Sequence, residues 1–386
     1  MNILFCKWNG ACEIAIENAF KTLGHSVATI EYNFAQADYS AECANFISDA
    51  MKDANIDVVF SANYMPIVSR VCKVYKTPYI SWIMDSPAMH LYSNTVSNSC
   101  NRIFIFDKIL YEKVKSYNKE GIFYYPLGTC VDIWDKVKIN KKDEEKYSCQ
   151  VSFLGSMYTE VAKYNEIHNL PEYLKGYVQG LVEAQLNVYG YNFLEDVVSD
   201  KIVEEYKSYR QWSINEDYAL TDKMMMADYY LGHKCSEQER MRIAKVLSDK
   251  YDFKLYTNSD VKNIPGIISQ GVAGYYDEMP KLFRLSKINV NITSKTIQSG
   301  IPLRMLDIMG AGGFVISNYQ TEIPQYFEIG RDLEVYESIP DLLSKIDYYL
   351  AHEEARQEIA RNGYEKVKEA FTYEIMLKDI LDIAMG

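Results

Sequence analysis

The chain has 386 residues, enough for about two domains that each bury a core. Its 53 acidic residues outnumber its 41 basic ones, a net charge of −12 that argues against a nucleic-acid binder, which needs a basic face. No apolar run reaches the roughly 18 residues of a membrane-spanning helix, so no membrane span is expected. Met1–Lys7 is too short and polar for a signal peptide, and a cytoplasmic protein is expected. The eight cysteines form no C-x-x-C pair and read as free buried thiols in a reducing compartment. With five scattered histidines, no metal site is expected.

From the start, short apolar runs alternate with helical patterns. Strands are expected at Asn2–Cys6, Val27–Glu31, Asp57–Phe60, Tyr79–Trp82, Arg102–Phe106 and Ile122–Tyr125. Between them fall helices at Cys12–Leu23, Ala41–Ala54, Met65–Tyr75 and Lys108–Tyr117. This alternation reads as a parallel sheet covered by helices, half of a nucleotide fold. The pattern breaks over Pro126–Lys146, where Pro126-Leu127-Gly128 is a turn and a lysine-rich run follows. The first domain is therefore placed at 1–130 and a linker at 131–147. A second domain, 148–371, opens on a strand at Cys149–Leu154 and the turn Gly155-Ser156. Residues 158–231 show helical spacing only, clearest over Lys163–Gln185 and Val203–Tyr230, and read as a helical insertion. Alternation then resumes: helix Ser236–Lys250, strand Phe253–Thr257, helix Asp277–Leu285, strand Lys287–Ile292, strand Phe314–Ser317, and helices Pro340–Leu350 and Glu353–Ala370. A separate amphipathic helix, Thr372–Ala384, ends the chain within a segment 372–386.

The stretch Ser299–Gly313 carries the chemistry. Pro302 is placed to start a helix, and Gly310, Gly312 and Gly313 end it. Only Arg304 and Asp307 interrupt its apolar character, and they lie one turn apart on one face. A helix start is a ready anion site, because its first N–H groups lack partners and its dipole end is positive. The amides of Ser299, Gly300 and Ile301 with Arg304 suit a diphosphate, and Asp307 suits ribose hydroxyls. The bland alternative is a buried helix with an internal Arg–Asp pair.

The second domain carries familiar motifs. Ser286–Gly313, Asn318–Pro324, Tyr348–His352 and Ile359–Tyr364 resemble the C-terminal domain of CgeB-like, group-1 glycosyltransferases. Trp82–Pro87, Ile105–Asp107 and Tyr125–Leu127 resemble the N-terminal domain often paired with it. The resemblance implies an α/β protein of GT-B fold: two facing Rossmann-like domains, the nucleotide sugar on the second, the acceptor on the first, and a terminal helix crossing back. It implies sugar transfer from a nucleoside-diphosphate sugar, UDP by family frequency, to a hydroxyl on a protein or cell-surface glycan, as in a hexosyltransferase. Related families carry two acidic residues eight positions apart around this helix start. Asp307 matches the second, and Ser299 stands where the first would be. That first acid lies near the sugar in retaining enzymes, so inversion and retention both stay open. Ser299, with Thr296 and Gln298, is a candidate donor of hydrogen bonds to diphosphate or sugar.

Other candidates follow from strand ends. Gly10, after the first strand, can let a ligand approach the backbone, or form a plain turn. Asp85, after Tyr79–Trp82, is a candidate general base toward an acceptor hydroxyl, or a turn cap. His90 is the alternative base. The amides of Gly155 and Ser156 are candidates for phosphate. Tyr256, Tyr275 and Tyr276 stand where proteins of this fold hold the base. Lys234, Glu237 and Arg240 flank a helix start, as phosphate contacts or as a salt-bridged surface. No Asp-x-Asp sits at a strand end, so no cofactor or metal is expected. Two other readings are a catalytically weak nucleotide-sugar-binding partner subunit and a nucleotide-sugar epimerase. An oxidoreductase is disfavoured by the missing G-x-G-x-x-G.

Overall fold

The computed structural model describes residues 1–34, 37–53, 55–262 and 264–386. The chain divides into two compact units. One comprises Met1–Cys130, Asn215–Ala219 and Ala370–Gly386; the other comprises Val131–Ile214 and Leu220–Glu369.

The first unit alternates β1 (Asn2–Lys7), α1 (Glu13–Thr22), β2 (Ser26–Glu31), α2 (Ala41–Asp53), β3 (Val58–Ala62), α3 (Pro66–Tyr75), β4 (Tyr79–Ile83), β5 (Asn101–Ile105), α4 (Lys108–Val114) and β6 (Ile122–Tyr124). Ala54, the expected last residue of the second helix, lies outside the described residues. The six strands run in the order β2-β1-β3-β4-β5-β6, all pairs parallel. β3 and β4 are buried at every position, which is why VVFSA and YISWI read as apolar runs and not as alternations. The order reverses at β1 and β3, the switch point where open α/β sheets form a crevice beyond their carboxyl ends. The terminal helix packs on this unit, as the resemblance implied. Its Leu377 and Ile380 are fully buried, and Tyr373 meets Trp82 edge-on at 6.0 Å.

In the second unit the expected linker is largely helical. After α5 (Val131–Trp134), α6 (Lys141–Tyr147) forms because Asn140 and Asp143 make a reciprocal capping box. The sheet contains β7 (Cys149–Leu154), β8 (Phe253–Tyr256), β9 (Ser286–Asn291), β10 (Val315–Asn318) and β11 (Glu334–Tyr336), in the order β11-β10-β9-β7-β8. Its switch point lies between β7 and β9. β11 went unanticipated because three residues are too few to show a period.

The insertion is more broken than its periodicity implied. Pro171 cannot continue a helix, so α7 begins beyond it (Glu172–Leu186). Short α8 (Leu194–Val197) and then α9 (Asp200–Tyr209) follow. Next, Asn215–Ala219 leaves to join the first unit, where Asn94 N donates to Asp217 O at 2.7 Å and Ala219 N to Tyr92 O at 2.8 Å. The chain returns through α10 (Asp222–Met224) and a π-helix, Met225–Gly232, that runs straight into α11 (His233–Lys250). Leu174, Val178, Val182, Tyr206 and Leu231 give the insertion a core of its own. The remaining helices are α12 (Met279–Leu285), α13 (Leu303–Gly310), α14 (Ile323–Tyr326), α15 (Ile339–Ala351), α16 (Glu353–Ala370) and, in the first unit, α17 (Tyr373–Met385).

Candidate functional site

β9 delivers its chain into a polar loop that leads to α13. Thr293, Ser294, Lys295, Thr296 and Ser299 in this loop are all buried. Buried polar groups must be paired, and these are. Ser236 Oγ meets Ser294 Oγ at 2.8 Å, Ser294 Oγ meets Thr296 Oγ1 at 2.9 Å, and Lys295 N donates to Ser236 Oγ at 3.0 Å. The insertion braces the same loop. Asn192 Nδ2 donates to Lys295 O at 2.8 Å, and a Cβ on Gly232 would come within 2.9 Å of Thr296 Cγ2. Gln298 is half-buried and lines a small surface recess with Val188, Asn192, Lys295, Asn318 and Gln320.

The loop holds the N-terminus of α13. Pro302 takes the N-cap with extended dihedrals and offers no side-chain cap. Gly300 and Ile301 before it are buried. Arg304 Nη1 donates to Asp307 Oδ2 at 3.1 Å, and Tyr275 Oη donates to Asp307 Oδ1 at 3.1 Å. Asp307 is 1% exposed. The expected Arg–Asp pair therefore forms, with Tyr275 as its third member. Tyr275 is itself anchored: Trp134 Nε1 donates to its carbonyl at 3.0 Å, and the two rings lie 5.5 Å apart. Tyr276 meets Tyr275 edge-on at 5.0 Å, so the adjacent rings do point differently.

Arg240 proves more central than its sequence suggested. It is buried on α11 and donates to Ser156 O and Ile292 O, tying together the chain ends beyond β7 and β9 at the switch point. Both bonds go to main-chain carbonyls. Burial lowers its pKa, and Tyr158 and Glu239 oppose the shift. Lys234 and Glu237 pair with each other, the salt-bridged alternative.

Other expected residues are placed differently. Gly155 N donates to Tyr256 O at 3.0 Å, which commits that amide within the sheet end. Ser156 Oγ accepts from Tyr158 N at 2.9 Å. Tyr256 is 1% exposed and packs against Tyr147 at 6.2 Å as a core residue. In the first unit, Gly10 N donates to Glu13 Oε2 at 2.9 Å and Trp8 N to Glu13 Oε1 at 3.0 Å. A carboxylate of the chain itself already occupies that turn, and the left-handed residue there is Asn9 (φ 71°), not Gly10.

Asp85 is exposed beyond β4, where Asn63 Nδ2 donates to its Oδ2 at 2.7 Å. Asn63 Oδ1 accepts from Met84 N at 2.7 Å, so one side chain fixes the turn and aims the carboxylate. His90 lies in the same connection, with its ring 6.2 Å from that of Tyr218. Burial lowers the His90 pKa and Asp38 opposes the shift. Tyr218, whose hydroxyl donates to Asp38, had no signal in the sequence, because it arrives from the insertion.

The chain is similar to several known proteins. Residues 240–382, from Arg240 through α13 to the terminal helix, match the model of a family described as Glycosyl transferase-like. Over 192 residues the chain is 22% identical to an uncharacterized protein of Aquifex aeolicus (strain VF5), covering 47% of this chain and 44% of that protein's length. Among solved structures, Anabaena Alr3699/HepE in complex with UDP and glucose is similar at TM-score 0.56 and 11% identity, covering 99% of this chain and 98% of that one. A glycosyltransferase from Rickettsia africae is similar at TM-score 0.53 and 13% identity, covering 99% and 97%. Sucrose-phosphate synthase from Thermosynechococcus elongatus is similar at TM-score 0.55 and 9% identity, covering 100% and 98%. The fold is GT-B, with two parallel-sheet Rossmann-like domains. The match to the Glycosyl transferase-like model covers residues 240–382, and the solved structures share the fold. Among the described residues, no helix is long and apolar enough to cross a membrane.

Proposed function

We propose that the protein is a glycosyltransferase that moves a sugar from a nucleoside-diphosphate sugar, UDP-linked by preference, to an acceptor hydroxyl on a protein or glycan. One observation carries this reading. Arg304, paired with Asp307, stands in the first turn of α13, whose start has no side-chain cap and follows β9 at the switch point of the second unit. The Anabaena protein of the same fold is described with UDP and glucose bound, which supports the choice of nucleotide.

In this reading the diphosphate lies against the α13 amides and Arg304. Tyr275 or Tyr276 offers a ring to the base. Asp307 exchanges its bond from Tyr275 or Arg304 for a ribose hydroxyl. The bond between the sugar's anomeric carbon and the diphosphate oxygen breaks, and a bond to the acceptor oxygen forms. The acceptor proton goes to Asp85, with His90 as the alternative base. The departing negative charge falls on preorganised donors, and no metal is invoked.

The test is thermal unfolding against a panel of nucleoside diphosphates and nucleotide sugars, because a ligand that binds only the native state raises apparent stability. One nucleotide should raise the midpoint, and Arg304→Met should weaken it about tenfold to a hundredfold, as for a hydrogen bond to a charged group. No shift with any of them would contradict the reading. Binding without any sugar release or transfer would favour the binding-partner alternative.

A further inference from the structure

Ser299 occupies the position at which related families carry an acid, yet a carboxylate is present there. Ser299 Oγ donates its proton to Glu322 Oε1, and Glu322 N donates to Ser299 O at 3.3 Å. The two residues are 23 apart in the chain. Ser299 is 3% exposed and Glu322 is 1% exposed. Glu322 is the N-cap residue of α14, but its side chain makes no cap bond there and turns back to the start of α13. Burying a carboxylate is costly, so its recruitment to this hydroxyl needs a reason.

Building on the donor reading above, we infer that Ser299 and Glu322 act as a hydroxyl–carboxylate relay that recognises the donor's sugar. The proton on Ser299 Oγ is committed to Glu322. Any bond that oxygen makes to a ligand is therefore one it accepts. An acceptor repels a diphosphate oxygen and suits a sugar hydroxyl. The relay passes the negative character of Glu322 to the sugar, one bond removed from where an acid at position 299 would present it. Glu322 is thus a positioning residue that acts through Ser299.

Titration calorimetry with UDP and with UDP-glucose, UDP-galactose and UDP-N-acetylglucosamine tests this. Wild type should bind one UDP-sugar more tightly than UDP. In Glu322→Gln the amide can donate, which turns the serine proton outward. That variant and Ser299→Ala should hold UDP within about twofold of wild type but lose the sugar preference by about tenfold. Ser299→Thr, which keeps the hydroxyl, should retain the preference. If Glu322→Gln does not fold, Ser299→Ala decides the question alone. Equal losses for UDP and UDP-sugar would overturn the relay in favour of a structural clip. Unchanged preference, or a wild type that binds UDP with no gain from any sugar, would also overturn it while leaving the nucleotide site standing. A wild type that binds no nucleotide would instead defeat the donor reading.

Discussion

Asp307 is held within the structure and, in the proposed reading, would serve a ligand in turn. Both of its oxygens are engaged inside the protein, by Arg304 and Tyr275. A ribose would replace one of these bonds, so binding exchanges one hydrogen bond for another and avoids desolvating a bare carboxylate. His233 makes the opposite case, a polar group buried at a cost. It is 6% exposed, between the rings of Tyr158 and Tyr229. Burial pushes its pKa down from 6.5 to about 4. Above pH 6.5 both folded and unfolded chains carry it neutral, and it has no effect. As pH falls from 6.5 to 4 the unfolded chain takes up a proton that the native one refuses. Stability is then lost by about 3 kcal/mol, and the loss levels off below pH 4. Denaturant midpoints across this range should fall more steeply in wild type than in His233→Phe. Parallel slopes would show that the site accepts the charge.

At the scale of elements, the insertion braces the loop between β9 and α13. Asn192 and Gly232 belong to the insertion, and both meet the loop between β9 and α13. Deleting residues 158–231 should therefore impair nucleotide binding. Asn192→Ala should cost about 1 kcal/mol, and it should weaken nucleotide binding measured by the same thermal shifts. Full nucleotide affinity in both variants would show the brace to be idle.

The same elements show what could be read beforehand. The βα alternation and the α13 motif were legible because strand and helix periods, Pro302 and the glycine cluster are local signals. The breaks at Pro171 and over Asn215–Ala219 were less so, since the second depends on partners in another part of the chain. Glu322 and the tie made by Arg240 were hidden for the same reason. Their partners lie 23 residues away for Glu322, and 84 and 52 for Arg240. Gly10 and Gly155 looked open to a ligand because a sequence does not reveal where an amide proton goes.

For the whole molecule, the chain's last helix completes its first unit. Tyr373, Met376, Leu377 and Ile380 of α17 are at most 3% exposed. Burying each contributes about 1.5–3 kcal/mol, a sum comparable to the roughly 5–15 kcal/mol net stability of a domain. Truncation before Thr372 should therefore unfold the first unit. Hydrogen exchange should become fast throughout β1, β3 and β4 while β7 and β9 keep their protection. Retained protection in β4 would show the helix to be dispensable.

The central claim is that the start of α13 receives a nucleoside diphosphate. Hydrogen exchange of the intact protein with and without saturating UDP reads those amides directly. Slowed exchange that includes residues 299–305, and that needs a correspondingly higher nucleotide concentration in Arg304→Met, is the expected result. UDP binding that leaves these amides unchanged and protects another part of the molecule would contradict it.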